Sequence, residues 1–314
     1  MVSAFFFAEN LGNKQGCQMI LVFGSINVDL VARVPHIAKP GETVLSPTYE
    51  TFCGGKGANQ AVAAARALPK GEAGVAMVGA VGHDAFGAHC LDNFASAGVD
   101  TSAVQRCAAP TGVAFVAVDA AAENAIIVAS GANLELRAKM VPSALLESIR
   151  IAIFQMEVPL AENLALARRL PAATRIILNF APALTDTDAA SLTEMIALTD
   201  ILVVNEHEAE VVGQLRIDGN DRPEALAIAL GFDLVVTRGG EGVDIYDRSG
   251  VRQFCPAPRV QVVDTTGAGD TFVGTLGARL SAGWSLHDAI VSATDAASLA
   301  CTHFGAQVDV FAAT

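Results

Sequence analysis

The amino-acid sequence predicts an α/β fold in which a mostly parallel sheet lies between two layers of helices. The first indication is a repeated alternation of short apolar runs with longer segments of helical periodicity, as in successive strand–helix units. The second is the composition of the 314 residues, because 52% are hydrophobic and only 17% are charged, which favours a large buried core over disorder. The third is that several polar residues follow the ends of predicted strands, where parallel sheets bind ligands.

Composition also excludes some classes of function. The formal net charge of −13, with no basic stripe along the chain, argues against a nucleic-acid-binding protein. No apolar run approaches the roughly 18–20 residues that a membrane span needs. The six cysteines are widely scattered without a Cys-x-x-Cys pair, which favours free thiols in a reducing cytoplasm. We therefore expect a cytoplasmic protein that binds small molecules, with neither nucleic acid nor a membrane as partner.

Residues 1–18 differ from the rest of the chain. The run Phe5-Phe6-Phe7 is too short for the apolar core of a signal peptide, and polar residues follow it. We expect a flexible N-terminal extension, with Met19 as an alternative start. A single domain is then predicted over 19–314.

The first predicted strand leads into two polar residues. The apolar run 19–24 ends at Gly24 and predicts a buried strand. Asn27 and Asp29 follow two positions apart, so in an extended segment both side chains point to the same side. They could bind a ligand through hydrogen bonds, or they could be turn and edge residues held by the backbone.

An irregular segment and a glycine-rich loop come next. Residues 31–52 combine prolines and a glycine with short β-rich pieces, which is typical of a small irregular sheet. The glycines of Gly54-Gly55-Lys56-Gly57 then precede a strong helix at 61–68 and would let a ligand approach the backbone, beside Lys56 and Asn59. This loop is not a Walker A motif, because a glycine follows the lysine where that motif requires Ser or Thr.

From residue 74 the chain alternates predicted strands and helices. Strands are predicted at 74–79, 111–118, 125–128, 151–156, 175–178, 201–204 and 234–237, with 111–118 paired to 125–128. Helices are predicted at 84–97, 160–170, 188–198 and 223–231. Glu157, Asn205 and Thr237 fall at or just after strand ends, so we expect them on one rim of the sheet, together with Asn27, Asp29, Glu208 and Asp270.

The most informative stretch lies near the C-terminus. A β-branched run at 259–263 predicts a strand, and the turn at Gly267-Ala268-Gly269 precedes a helix. The unpaired N–H groups at the start of a helix suit an anion, and Asp270 places a carboxylate in its first turn. A base beside a charge-stabilising cradle is what phosphoryl transfer requires.

Four blocks of sequence carry a resemblance that extends from about Met19 to about Gln307. They are Gly24-Ser25-Ile26-Asn27-Val28-Asp29, Gly54-Gly55-Lys56-Gly57-Ala58-Asn59-Gln60-Ala61, Asn205-x-x-Glu208 and Asp264-Thr265-x-Gly267-Ala268-Gly269-Asp270-Thr271-Phe272. In these blocks the chain resembles the ribokinase-like family of sugar and nucleoside kinases. The resemblance implies a three-layer α/β/α fold with a small β-sheet lid from about 30–52 and 111–129, and a homodimer formed through that lid.

The resemblance also implies an activity and the residues that perform it. ATP would phosphorylate the primary hydroxyl of a pentose, D-ribose first, with Asp270 as the general base. The backbone N–H groups of Gly267, Ala268 and Gly269 would stabilise charge on the transferred group. The residues implied to hold the sugar are Asn27, Asp29, Gly55, Lys56, Asn59 and Glu157. Those implied on the nucleotide side are Asn205, Thr237, Gly239, Gly242, Gly269 and His303.

Two metal ions follow from the same resemblance. Mg²⁺ would be held, through water, by Asn205 and Glu208. A monovalent cation, usually potassium in this family, would bind at Asp264, the Thr266 carbonyl, Gly305 and Asp309. The family usually continues Gly-Ala-Gln with Pro and Ser, whereas this chain continues with Val308-Asp309, so Asp309 could either strengthen the cation site or be solvated.

Alternative hypotheses remain open at this point. The same chemistry could act on a nucleoside, fructose or a deoxy sugar. A nucleoside would need an apolar or aromatic slot, and only 6% of the residues are aromatic. A non-catalytic sugar or nucleotide sensor is a further alternative, although a binder would have no use for the base Asp270.

Overall fold

A computed structural model describes residues 19–69, 74–121, 123–183, 188–214 and 222–312. The predictions for residues 1–18 lie outside these described residues. Within them, no helix is both long and apolar enough to cross a membrane.

Strands and helices alternate along the described chain. The strands are β1 Met19–Phe23, β2 Asn27–Arg33, β3 Tyr49–Gly54, β4 Val75–Val78, β5 Ala80–Gly82, β6 Gln105–Cys107, β7 Gly112–Val118, β8 Asn124–Ala129, β9 Ile149–Phe154, β10 Arg175–Asn179, β11 Ile201–Asn205, β12 Asp233–Thr237, β13 Gly242–Tyr246 and β14 Arg252–Pro256. The α-helices are α1 Lys56–Ala67, α2 Ala85–Ser96, α3 Ser143–Leu146, α4 Leu160–Ala167, α5 Ala189–Ala197, α6 Glu206–Gly213, α7 Pro223–Leu230, α8 Ala268–Ser281 and α9 Leu286–Ala300.

The central sheet has eight strands in the order β14-β13-β12-β11-β10-β9-β1-β4. The strands from β12 to β4 in this order run parallel, and β13 and β14 add an antiparallel edge. All five residues of β1 are buried, as expected of a strand covered on both faces. The predicted mostly parallel sheet is therefore confirmed.

Helices cover both faces of this sheet. Side chains alternate along β1, so that Leu21 and Phe23 enter one core and Ile20 and Val22 enter the other. The first core includes buried residues of α4, α5, α6 and α7, and the second includes those of α1, α2, α8 and α9. The predicted three-layer architecture is confirmed.

A second sheet of four strands, in the order β3-β2-β7-β8, is built from the two regions predicted for the lid. β7 and β8 pair with each other, as predicted for 111–118 and 125–128, and they run antiparallel. Asn27 at the start of β2 pairs with Gly54 on one side and Gly112 on the other, so this sheet begins beside the glycine-rich loop. That it acts as a lid remains a prediction.

The predicted strand at 259–263 is wrong. No strand occurs in 257–267, and Val262 is 60% exposed there, whereas two strands not predicted, β13 and β14, form an antiparallel edge of the sheet. β-branched residues favour a strand only where a neighbouring strand and a covered surface are available, and 259–263 has neither. The helix predicted to follow the glycine turn is present as α8.

Candidate active site

Polar residues converge at the carboxyl ends of the parallel strands, as predicted. Asn205 is the last residue of β11 and lies in register with Thr237, the last residue of β12. A cavity of about 240 Å³ opens beside them. The predicted site residues that line this cavity are Lys56, Asn205, Glu208, Thr237, Gly267, Gly269 and Asp270.

Asp270 lies in the first turn of α8 and is only 6% exposed. Its Oδ2 accepts a hydrogen bond from Asn59 Nδ2 at 2.9 Å, and its Oδ1 accepts one from Gln60 Nε2 at 2.9 Å. Both oxygens thus face amide donors from the start of α1. Sequence reasoning assigned no role to Gln60, although it directly follows Asn59.

The turn before α8 requires glycine at its first position. Gly267 has a φ of +72°, and a Cβ there would lie 2.6 Å from the Ala306 Cα. The Gly269 N–H has no hydrogen-bond partner among the described residues, as expected near a helix start. The Ala268 N–H instead donates to the Thr265 carbonyl at 3.2 Å. Of the predicted anion donors, Ala268 is therefore already engaged.

Lys56 begins α1 at the centre of the charged groups. Burial works against its charge, but the carboxylates of Asp270, Glu157 and Glu208 outweigh burial and hold the pKa of Lys56 above its usual value. The ammonium is therefore present at neutral pH. These three carboxylates come from the segment after β9, from α6 and from α8, so the structure brings together residues that are far apart in the sequence.

Asp29 lies half-buried on β2 near two other carboxylates. Burial, and then the charges of Glu157 and Asp270, raise the pKa of Asp29 to about 6. Gly54 on the neighbouring strand makes room for it, because a Cβ there would lie 2.3 Å from Asp29 Oδ2. The fold thus holds this carboxylate where its ionised form is disfavoured, and such perturbed groups are common at ligand-binding sites.

Glu157 fixes the start of α1. Its Oε2 accepts hydrogen bonds from Ser25 Oγ at 2.5 Å and from the Lys56 N–H at 3.0 Å. A carboxylate is also favourable at the positive end of a helix. Sequence reasoning missed Ser25, although it lies within the block Gly24–Asp29.

Asn27 is buried and held from a distant segment. Its Oδ1 accepts a hydrogen bond from Asn133 Nδ2 at 2.8 Å, and Asn133 Oδ1 accepts one from the Ile26 N–H at 2.9 Å. Gly55, with a φ of +89°, packs against it, because a Cβ there would lie 2.8 Å from the Asn27 nitrogen. No sequence motif marks Asn133, so sequence reasoning missed it.

Asn205 and Glu208 form a capping box at the start of α6. Asn205 Oδ1 accepts from the Glu208 N–H, and Glu208 Oε2 accepts from the Asn205 N–H, both at 2.8 Å. Burial raises the pKa of Glu208, and the charge of Asp270 adds to this effect. Among the described residues, Glu208 Oε1 has no hydrogen bond, so it suits a hydrated Mg²⁺, which prefers oxygen ligands.

Three residues predicted on the nucleotide side do not line the cavity. Gly239 begins a 3₁₀ turn, and Gly242 is required for packing, because a Cβ there would lie 2.1 Å from the Cys255 carbonyl oxygen. His303 is exposed after α9, and its Nδ1 is hydrogen-bonded to Thr302 Oγ1 at 2.9 Å. Thr237 does line the cavity, and its hydroxyl donates to the Val204 carbonyl at 3.3 Å.

The predicted ligands of the monovalent cation are only partly brought together. Asp264 Oδ1 accepts from the Thr266 N–H and hydroxyl, and its Oδ2 accepts from the Gly305 N–H at 2.9 Å. Burial opposes ionisation, but these hydrogen bonds hold the pKa of Asp264 below its usual value. Asp309 instead lies 3.9 Å from Arg66 Nε. The described residues contain no group of three or more His, Cys, Asp or Glu that could hold a metal.

Comparisons with known proteins identify the family of this chain. Residues 18–312 match the pfkB family carbohydrate kinase model. Curated relatives include a ribokinase of Haemophilus influenzae, 35% identical with 93% of this chain and 94% of the relative covered. They also include a deoxyribokinase of Salmonella typhimurium, 34% identical with 81% and 83% covered.

Solved structures of similar proteins agree in fold. A ribokinase of Thermotoga maritima is 33% identical, with a TM-score of 0.84 and with 93% of this chain and 95% of that chain covered. A ribokinase of Arabidopsis thaliana, solved in complex with ribose and ATP, is 28% identical, with a TM-score of 0.80 and with 93% and 95% covered. The chain therefore belongs to the pfkB family of carbohydrate kinases and is an ATP-dependent carbohydrate kinase.

Proposed function

We propose that this kinase transfers the γ-phosphoryl group of ATP to the primary hydroxyl of D-ribose, giving ribose 5-phosphate. The observation that carries the proposal is the buried Asp270 carboxylate at the start of α8, held by Asn59 and Gln60 beside the cavity. The ribokinases among the relatives, one of them solved with ribose and ATP, support D-ribose as the acceptor.

In this mechanism the sugar hydroxyl oxygen attacks the γ-phosphorus, and Asp270 accepts the proton that this hydroxyl loses. The bond from that phosphorus to the bridging oxygen breaks, and ADP leaves. The N–H groups of Gly267, Ala268 and Gly269 would stabilise the developing charge. Gly269 is ready to donate, whereas Ala268 would first have to release the Thr265 carbonyl.

The acceptor would be held by polar groups from β2, from the glycine-rich loop and start of α1, and from the segment after β9. These are Asn27, Asp29, Gly55, Lys56, Asn59 and Glu157. A pocket of buried polar groups discriminates strongly against an analogue that lacks a hydroxyl, because its own groups then stay unpaired. This argument favours a sugar with several hydroxyls.

On the nucleotide side, we place the phosphates of ATP in the cavity near Lys56 and Thr237. Asn205 and Glu208 would hold Mg²⁺ through water, and the ion would neutralise phosphate charge. Gly239, Gly242 and His303 would lie farther out, towards the adenine. Glu208 keeps its helix-capping role in this arrangement, because its other oxygen faces no protein donor among the described residues.

A monovalent cation, potassium first, would bind at Asp264, Thr266 and Gly305. Asp309 is the weakest of the proposed ligands, because it pairs with Arg66. We expect activity in KCl to exceed activity in choline chloride of equal ionic strength. Equal rates in the two salts would contradict the cation site.

We further propose a homodimer formed through the four-stranded sheet. Its exposed apolar residues include Phe115, Ile126, Ile127 and Val128, with Ile127 71% exposed. Phe115 and Ile127 are register partners and share one face of this sheet, whereas Ile126 and Val128 project from its other face. Exposed apolar side chains are unfavourable in water and favour a partner, here a second copy of the chain. Light scattering should give twice the chain mass of 32.4 kDa.

We also propose a cytoplasmic location. In the described part of the chain all five cysteines are free thiols, which suits a reducing compartment.

The acceptor is tested by coupled measurement of ADP release over a panel of compounds, with Mg²⁺ and K⁺ present. D-ribose should give the highest kcat/KM among D-ribose, 2-deoxy-D-ribose, fructose and nucleosides. The deoxyribokinase relative makes 2-deoxy-D-ribose the second candidate. A higher kcat/KM for another compound would make that compound the proposed acceptor instead of D-ribose. If ADP release does not depend on any acceptor in the panel, the proposed function is refuted.

A further inference from the structure

A chain of side-chain amides leads away from Asp270 to the C-terminal segment. Asn59 Nδ2 donates to Asp270 Oδ2 at 2.9 Å, and Gln307 Nε2 donates to Asn59 Oδ1 at 3.0 Å. Asn93 Nδ2 then donates to Gln307 Oε1 at 2.7 Å. These hydrogen bonds join α1, α2 and the segment after α9, which are far apart in sequence.

The direction of each hydrogen bond in this row of side-chain amides follows from the charge of Asp270. An ionised carboxylate only accepts, so Asn59 must turn its NH₂ group towards it and its oxygen away. That oxygen needs a donor, and Gln307 supplies one. The Gln307 oxygen needs a donor in turn, and Asn93 supplies it. Reversing any one amide would place two acceptors against each other.

The backbone around Gln307 is itself fixed to the active site. Arg66 of α1 donates to the Gln307 carbonyl at 2.8 Å. The preceding residue, Ala306, packs so closely on Gly267 that a Cβ there would lie 2.6 Å from the Ala306 Cα. Gln307 is thus held against both the helix that carries Asn59 and the turn that starts α8.

A second set of amides supports the other oxygen of Asp270. Gln60 Nε2 donates to Asp270 Oδ1, and Gln155 Nε2 donates to Gln60 Oε1 at 2.6 Å. Both glutamines are completely buried, so their replacement would disturb the core. Gln307 is only partly buried, which makes it the better position for a test.

We propose that Gln307 is a positioning residue for phosphoryl transfer, acting through the Asn59 amide on the orientation of the Asp270 carboxylate. The inference rests on the proposed role of Asp270 as general base. Because a small displacement of a catalytic group costs a large part of the rate, removing the donor should lower kcat rather than weaken ATP binding.

The test is a double-mutant cycle on the full-length kinase with D-ribose and ATP. Gln307→Leu should lower kcat about tenfold and leave the KM for ATP within about twofold of wild type. In an Asp270→Asn background, the same replacement should cost less than about twofold, because no base remains to be positioned. Gln253→Leu, on the exposed edge strand β14, is the matched control and should change neither value.

Two further variants guard against a folding defect. Gln307→Glu keeps the size of the side chain but presents an oxygen to Asn59 Oδ1, so kcat should fall at least as far as in Gln307→Leu. Asn93→Asp replaces the donor two hydrogen bonds from Asp270 and should also lower kcat. Thermal midpoints of these variants, measured in parallel, should stay close to that of wild type.

The inference is overturned if Gln307→Leu and Gln307→Glu both keep kcat within about twofold of wild type. It is also overturned if Gln307→Leu costs the same factor in both backgrounds, which would indicate a general structural effect. If Asp270→Asn itself keeps a normal kcat, then Asp270 is not the general base, and both the proposed mechanism and this inference are refuted. A loss in Asp270→Asn without one at Gln307 refutes the inference alone.

Discussion

Replacing Asp29 with asparagine should stabilise the fold and weaken sugar binding at the same time. Burial, and then the charges of Glu157 and Asp270, raise the pKa of the Asp29 carboxyl to about 6. Asparagine has nearly the same shape but no charge to bury or to repel its neighbours.

The effect on stability follows from the two pKa values. In the unfolded chain the pKa of Asp29 is about 3.8, so the fold disfavours the ionised form, and stability falls as the pH rises from about 4 to about 6. Above pH 6 the ionised Asp29 lowers the free energy of unfolding by its full amount, which is at most about 3 kcal/mol at 1.36 kcal/mol for each pKa unit. Asp29→Asn should raise the free energy of unfolding by up to about this amount at pH 7.5, and the gain should vanish near pH 4.

The effect on binding follows from the ionised fraction. With a pKa of about 6, that fraction falls from about nine-tenths at pH 7 to about one-tenth at pH 5. If the carboxylate accepts sugar hydroxyls, the KM of the wild type for D-ribose should rise about tenfold over this range. In Asp29→Asn the KM should be high at both values, and this part of its pH dependence should be absent.

Denaturant unfolding at pH 7.5 and pH 4, and steady-state kinetics at pH 7 and pH 5, measure these effects. Asp92→Asn, an exposed replacement on α2, is the control and should behave as wild type. An Asp29→Asn protein less stable than wild type at pH 7.5 would refute the argument that this carboxylate is held at a cost. A wild-type KM that is the same at both pH values would refute its raised pKa.

Two further predictions concern the nucleotide side. Glu208→Gln should raise the Mg²⁺ concentration needed for half-maximal activity several-fold, while the new amide oxygen still caps α6. Glu206→Gln, an exposed replacement, is the control and should leave this concentration unchanged. Equal Mg²⁺ requirements in the two variants would contradict the metal role of Glu208. Gly267→Ala should lower the free energy of unfolding and also kcat, because it adds both backbone strain at a φ of +72° and a clash with Ala306. Gly283→Ala, at a φ of +85° in open space, adds only the strain of about 1–3 kcal/mol, and equal losses in the two variants would show that the clash is absent.

The sequence predicted the architecture because buried parallel strands are read as short apolar runs. The segment 201–204 is an example, since it became β11, with Asn205 at its carboxyl end as expected. The edge of the sheet was predicted less well. The run at 259–263 has strand propensity but no partner strand, whereas β13 and β14 pair with one another despite mixed composition.

The site was predicted where its residues lie within short motifs, and missed where they are contributed by distant segments. Asp270, Lys56 and Glu208 follow from local patterns and meet in the cavity. Asn133 and Gln307 could not be assigned, because their contacts join residues 106 and 248 positions apart, respectively. Conversely, a glycine such as Gly242 is explained by packing against Cys255, which a sequence cannot distinguish from space for a ligand.

The central claim is that Asp270 removes the proton of the acceptor hydroxyl, and kcat of Asp270→Asn with D-ribose tests it most directly. The replacement keeps the size of the side chain and removes its ability to take up a proton at neutral pH. We predict that kcat falls by at least about a hundredfold, with ATP binding by calorimetry largely preserved. A near-normal kcat in a correctly folded Asp270→Asn protein would contradict the account.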